Sequence, residues 1–133
     1  PVTSTIHGVG IFDEHEDLSL RWCGMHGYAP ANFALQKADT IIAIGSRFDD
    51  RTTGNINEYA PNAFKAGKEK KGGIIHINLN KDELNFVVDS HYNFHMDSGV
   101  FLNHITPFIQ YKTRDPWIQY ISNMKTKYLY LIQ

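Results

Sequence analysis

The sequence predicts an α/β layer architecture built on a parallel sheet. Three observations carry this. Two short Ile-rich runs, residues 39–45 (DTIIAIG) and 73–79 (GIIHINL), are apolar almost throughout, as strands covered on both faces are. Segments with helical apolar spacing alternate with them. The composition, 42% hydrophobic and 20% charged over 133 residues, is that of one globular domain.

The elements follow in order. Residues 1–5 are short and β-branched and end before Gly8 and Gly10, which predicts a strand running into a glycine-bearing turn. The acidic stretch 13–17 reads as a surface loop, and Cys23-Gly24-Met25-His26-Gly27 as a tight turn. Ala31, Ala34, Leu35 and Ala38 form one stripe on a helix over 28–38, with Pro30 in its first turn. The buried strand 39–45 is followed by a polar loop, 47–57. Residues 65–73, basic and glycine-rich, read as an exposed insertion before the second buried strand. Asn80 and Glu83 have capping-box spacing ahead of Leu84, Val87 and Val88, which predicts a short helix. Residues 92–96 are a weaker strand. Asp97 or Ser98 caps a helix carrying Phe101, Leu102, Ile105, Phe108 and Ile109, which Pro107 ends early or kinks. Asp115-Pro116 has the pattern of an N-cap followed by an N1 proline, ahead of a stripe of Trp117, Tyr120, Ile121, Met124 and Tyr128.

Charge and composition narrow the function. Thirteen basic against fourteen acidic residues give no field for steering nucleic acid or an acidic membrane, and no run is long enough to span a bilayer. One cysteine, Cys23, excludes an internal disulfide. Seven histidines raise the question of a metal, but none falls in an HExxH pattern, so no metal site is expected. Cys23 near His26 imitates a nucleophile pair; a structural turn fits it better. No GxGxxG, GxxxxGK[ST] or GxSxG motif is present. The chain starts at Pro1, directly in a strand-like run, and reads as a piece of something longer.

In parallel sheets ligands sit beyond the carboxyl ends of the strands. That rule directs attention to Thr5 and the turn after it, to Gly45-Ser46-Arg47-Phe48-Asp49-Asp50-Arg51-Thr52-Thr53-Gly54, to Asn78 and to residues 96–99, and predicts that Thr5, Arg47 and Asn78 share one rim. Arg47 and Arg51 can each fork onto phosphate oxygens, with Asp49 and Asp50 holding them. A loop laced only by its own surface salt bridges is the competing reading.

Taken together, PVTST, CGMHG, ADTIIAIGSRFDDRTTGNI and GGIIHINL resemble the middle domain of the acetolactate synthase catalytic subunit family, in its fungal form. The resemblance implies a Rossmann-like parallel sheet, the DHS-like NAD/FAD-binding fold of thiamine-diphosphate enzymes, incomplete at its N-terminus. Residues 1–111 would be the partial central domain, and 112–133 a helix and linker toward a pyrophosphate-binding domain. It implies an enzyme that condenses two 2-keto acids with decarboxylation, using thiamine diphosphate and Mg2+ held outside this segment. FAD would be bound here. The parent would be a mitochondrial homodimer or tetramer with a regulatory subunit, and this segment would supply no catalytic residue. Carried over by position, the flavin contacts fall on Thr5, Ile6 and His7; Cys23, Gly24, Met25 and His26; Gly45, Ser46, Arg47, Asp49, Arg51 and Thr52; and Asn78, Leu79, Glu83, Asp97 and Ser98. The family more often has an acid at the place of Asn78, a glycine at that of Met96 and a leucine at that of Cys23. The departures at Asn78 and Met96 favour the alternative, a non-catalytic nucleotide-binding or regulatory module on the same fold, while the intact SRFDDRTTG loop favours the enzyme.

Overall fold

A computed structural model describes residues 1–129 and shows two parallel sheets with a helix between them. The first sheet pairs β1 (Val2–Ser4) with β2 (Ser19–Trp22), with Val2 opposite Ser19. Sequence reasoning missed β2. Four residues of mixed polarity carry no period of their own, and only pairing with β1 makes them a strand. The loop between the two strands holds a 3₁₀ turn, Ile6–Gly8, and the exposed acidic stretch.

The second sheet has the order β3 (Thr40–Ile44), β4 (Gly73–Asn78), β5 (Tyr92–His95). Ile41 stands opposite Ile74 and Ala43 opposite His76, while Ile77 faces Phe94 across the other pair. β4 is central and buried almost throughout. β3 departs from expectation. Its residues alternate, with Ile41 and Ala43 in the core while Ile42 is 50% and Ile44 41% exposed. The described residues cover only one face of this edge strand, so its apolar run is half used.

Two clusters make the core. Ile41, Ala43, Phe48, Tyr59, Ala60, Ala63, Ile74 and Val88 form one; Leu20, Cys23, Ala31, Ala34 and Ile121 form the other. Helix α1 (Ala29–Lys37) has its predicted stripe, and Leu35 on that stripe packs against both clusters, joining the two sheets. α5 (Asp115–Lys127) lays Ile121, Trp117 and Tyr120 on the second cluster and stacks Tyr128 on Phe33. Its N-cap is Arg114, one residue before the expected Asp115. Residues 130–133, the end of the expected 112–133 segment, lie outside the described residues.

Three further expectations change. The loop 47–57 contains a capped turn of helix, α2 (Asp50–Thr53), and a 3₁₀ turn, Ile56–Glu58. The basic stretch begins inside α3 (Pro61–Lys68), which starts at a proline and buries Ala63 against the sheet. Lys65 and Lys68 lie in its last turn, where they complement the helix dipole, so only 69–72 project. No α-helix starts at Asn80. A 3₁₀ turn, Lys81–Glu83, ends in extended Leu84 and left-handed Asn85. α4 (Ser98–Ile105) is capped by Asp97 and gives way to a 3₁₀ turn at Pro107, as expected, but Phe108 and Ile109 lie past the helix and are exposed, because the proline break turns them off its apolar stripe. Among the described residues no helix is long and apolar enough to cross a membrane.

The two faces of β3 and β4 make a direct comparison. Ile74→Ala removes a fully buried side chain and is expected to destabilise the 133-residue chain by about 2–5 kcal/mol. Ile42→Ala, on the uncovered face, is expected to cost below about 1 kcal/mol. Urea unfolding of both variants checks this, and equal losses would mean that the outer face of β3 is covered.

Candidate ligand-binding rim

β3 hands its chain to the rim at Gly45. The Gly45 amide still donates to the carbonyl of Ile77 at 2.8 Å, then the backbone turns with φ +67°. A side chain is disfavoured at that φ, and the space a Cβ would enter is open. The Ser46 carbonyl accepts from His76 Nε2 at 2.6 Å and from Asn78 Nδ2 at 3.3 Å. Phe48 adopts φ +55°, unusual for an aromatic residue, and is held there by burial. Its ring meets those of Tyr59 and His76 edge-on, with centroids 6.0 and 4.9 Å away.

Asp49 caps α2. Its carboxylate accepts from the Thr52 amide at 3.0 Å and the Thr52 hydroxyl at 3.1 Å. Burial pushes this carboxyl up, but the Thr52 bonds and nearby Arg47 outweigh it and hold it below the ordinary range. The arginines are paired loosely: Arg47 Nε lies 3.4 Å from Asp49 and Arg51 Nε 4.0 Å from Asp50. Their side chains stay 64% and 69% exposed. Pairs of that kind contribute little. The loop is therefore braced by the Asp49 cap and the Phe48 anchor, and the guanidinium groups face outward.

The CGMHG turn meets this loop backbone to backbone. Met25 N–H donates to the Arg51 carbonyl at 2.7 Å, and Cys23 N–H to the Ser4 carbonyl at 2.9 Å. Gly24 has φ +107°, and a Cβ there would collide with the Arg51 carbonyl oxygen. Asn32, which sequence reasoning did not single out, clamps the turn from α1: its Oδ1 accepts from Gly24 N–H and its Nδ2 donates to the Gly24 carbonyl, both at 2.8 Å. Its place in the first turn of the helix, just after the two-glycine turn, was the available signal. The Trp22 indole donates to the His26 carbonyl at 3.2 Å. Cys23 is buried, which pushes its thiol up despite a hydrogen bond with Thr3, and no hydrogen bond joins it to His26 among the described residues. It is a core thiol. Behind the turn a cavity of about 210 Å³ is lined by Gly24, Met25, Asn32, Thr52, Gly54 and Tyr59.

At the end of β4, Asn78 is fully engaged. Its Nδ2 donates to Glu83 at 2.7 Å as well as to Ser46, and its Oδ1 accepts from Asn80 N–H at 2.9 Å. Glu83 thus turns back to the strand end instead of closing a capping box. Asn80 alone caps, accepting from Asp82 N–H. Met96 N–H reaches the Asn78 carbonyl at 3.3 Å, which brings Asp97 and Ser98 alongside, with Asp97 accepting from Gly99 and Val100 amides. The side chain of Leu79 is exposed, and its carbonyl lies 3.0 Å from His95 Nε2.

The expected residues thus fall into two joined groups. Arg47 and Asn78 sit at adjacent strand ends of one sheet. Thr5 does not share that sheet, because β1 pairs only with β2; its neighbour Ser4 is tied to Cys23, and the CGMHG turn links onward to Arg51. Among the described residues no side-chain hydrogen bond ties Ile6 or His7 to the rest, and no group of three His, Cys, Asp or Glu residues could hold a metal ion.

Two parallel sheets with helices packed on them define an α/β domain, with a glycine turn, outward guanidinium groups and an amide–carboxylate pair gathered at the strand ends. Comparison with known proteins makes the class particular. Residues 1–105 match the thiamine pyrophosphate enzyme central domain, and the chain belongs to that family. It is 43% identical over 134 residues to the mitochondrial acetolactate synthase catalytic subunit of Saccharomyces cerevisiae, covering 98% of this chain and 19% of that protein. It is 40% identical to the mitochondrial acetolactate synthase of Schizosaccharomyces pombe, over 96% of this chain and 20% of that protein. It is 30% identical to the acetolactate synthase isozyme 1 large subunit of Escherichia coli, over 96% and 21%. The chain therefore spans about a fifth of the length of these relatives.

The Asp49 cap has a pH signature. Because the folded carboxyl lies below its unfolded value of about 3.9, its contribution is present above that pH and is lost as pH falls through the folded value. Asp49→Ala is expected to cost about 0.5–2 kcal/mol at pH 7, and the gap from the wild type should narrow toward pH 3. Urea melts at the two pH values measure it; a gap independent of pH would mean that the charge of Asp49 does not hold the cap.

Proposed function

We propose that this chain is the FAD-binding central part of an acetolactate synthase, a thiamine-diphosphate-dependent transferase that joins two 2-keto acids with decarboxylation. The substrates are pyruvate with pyruvate or with 2-ketobutyrate, and the product feeds branched-chain amino-acid biosynthesis. Two things support the reading: membership of the thiamine pyrophosphate enzyme family, and relatives from yeasts and bacteria that all carry the acetolactate synthase name. The single observation that carries the local role is the pair of outward, loosely paired arginines beside an open glycine turn.

The donor set fits a flavin dinucleotide. Arg47 and Arg51 offer charge-assisted donors to its diphosphate, and Gly45 lets the backbone approach. Glu83, steadied by Asn78, offers a carboxylate to hydroxyl groups at the far end. Thr5, Ile6, His7, Cys23, Gly24, Met25, His26, Ser46, Asp49, Thr52, Leu79, Asp97 and Ser98 complete the proposed contacts. Bound here, FAD supplies structure and no net redox step. The chain's own residues bind, orient and exclude water. Catalysis belongs to thiamine diphosphate and Mg2+ on other parts of the polypeptide, in a homodimer or tetramer with a regulatory subunit. The fungal relatives are named mitochondrial, which supports that location. Residues 1–111 are proposed as the domain proper, and the helix after them as the lead toward the next domain.

Arg51→Ala in the full-length protein tests the reading. FAD affinity is expected to fall by about 1.5–3 kcal/mol, or about ten- to more than a hundredfold. The fold should survive, since the cap on α2 does not use this side chain. Flavin retention on gel filtration, beside a melting curve in excess FAD, is the measurement. Unchanged affinity would leave only the surface salt-bridge reading.

A further inference from the structure

We propose that His76 is the positioning residue of this rim, holding the Ser46–Arg47 peptide so that Arg47 presents both its backbone amide and its guanidinium to a phosphate anion. His76 lies mid-strand in β4 and is 0% exposed. A carbonyl oxygen only accepts, so the 2.6 Å bond to Ser46 places the ring proton on Nε2. The other ring nitrogen, Nδ1, is buried with no partner among the described residues. Burying an unsatisfied nitrogen is unfavourable, so the imidazole must be favoured here by what its other groups touch. The bond to the Ser46 carbonyl is the one polar interaction of the ring among the described residues, and the Phe48 ring packs against it.

That bond sets the loop. Asn78, two residues on along the same face, adds a second donor to the same carbonyl, which is thereby turned into the sheet. In a trans peptide the N–H points opposite to the C=O, so the Arg47 amide faces away from the sheet. It has no acceptor among the described residues. On the other side of Arg47, Phe48 seats its ring against the same imidazole, and its N–H donates to Ser46 Oγ at 3.2 Å. Arg47 is anchored through His76 on both flanks; its amide is unclaimed among the described residues, and its exposed side chain is held only loosely by Asp49. A free amide next to a guanidinium suits a phosphate group. The identity of that anion as FAD rests on the proposed flavin site; the setting of the loop does not.

The test uses the full-length protein with two substitutions. His76→Met keeps the bulk and removes the donor; His76→Gln keeps an N–H near the Nε2 position. The ligand-free readout is native-state trypsin cleavage after Arg47 relative to other arginine and lysine sites, and the second is FAD affinity by flavin fluorescence. His76→Met is expected to raise cleavage at Arg47 about tenfold and weaken FAD about tenfold, with His76→Gln restoring most of both. Wild-type cleavage at Arg47 in His76→Met would overturn the proposal, as would a rise shared equally by all sites, which marks general loosening. A selective rise at Arg47 in a protein whose wild type binds no FAD would refute the flavin site and uphold the positioning role. If His76→Met does not fold, His76→Asn replaces it. Its amide is too short to reach Ser46, so selective loosening is again the expected result and its absence the overturning one.

Discussion

The contact on which the rest depends is between two backbones. Gly24 and the Arg51 carbonyl approach so closely that no side chain fits between them, and the Met25 amide closes the gap with a hydrogen bond. The CGMHG turn lies with the small sheet and its core around Leu20 and Ala31, and the SRFDDRT loop with the larger sheet and its core around Ile74. Leu35 bridges the two cores from within, Asn62 of α3 donates to the Lys37 carbonyl at the end of α1, and Gly24 joins the two loops at the rim.

The chemistry of the rim follows from how its charges are spent. Asp49 is committed to the N-cap of α2, so it braces the loop and only lightly neutralises Arg47. Asp50, almost fully exposed, does little for Arg51. The positive groups therefore stay exposed, while the backbone beneath them is fixed by buried partners. At the other end the amide of Asn78 is spent on the strand's own turn, and the negative charge resides on Glu83. One strand end thus presents cationic donors and the next a carboxylate.

Much of this was legible in residues with strong local rules. The Ile-rich runs, the alanine stripe of α1, the Asp97 cap and the Pro107 break are each decided by propensity or period within a few residues. What escaped was decided by tertiary partners. β2 exists because β1 is beside it. Phe48 is left-handed because a buried pocket between Tyr59 and His76 repays the conformation. Glu83 leaves its capping box because Asn78 is the better partner. The double-sided burial read from DTIIAIG failed for a related reason: an apolar run states what a strand can bury, and only the neighbours state what it does bury. The rim residues were legible as a set of motifs, but the clamp from Asn32 and the hold from His76 act through atoms that sequence spacing does not connect.

Hydrogen exchange at one amide tests the central claim most directly. In Gly24→Ala the new methyl group and the unfavourable φ should force the turn away from Arg51. The Met25 amide, now bonded to the Arg51 carbonyl, is predicted to exchange about tenfold faster or more, while the amides of Ile75 and Ile77 in β4 keep their protection. A Met25 amide as protected in the variant as in the wild type would show that the two halves of the rim are held together by something other than this contact.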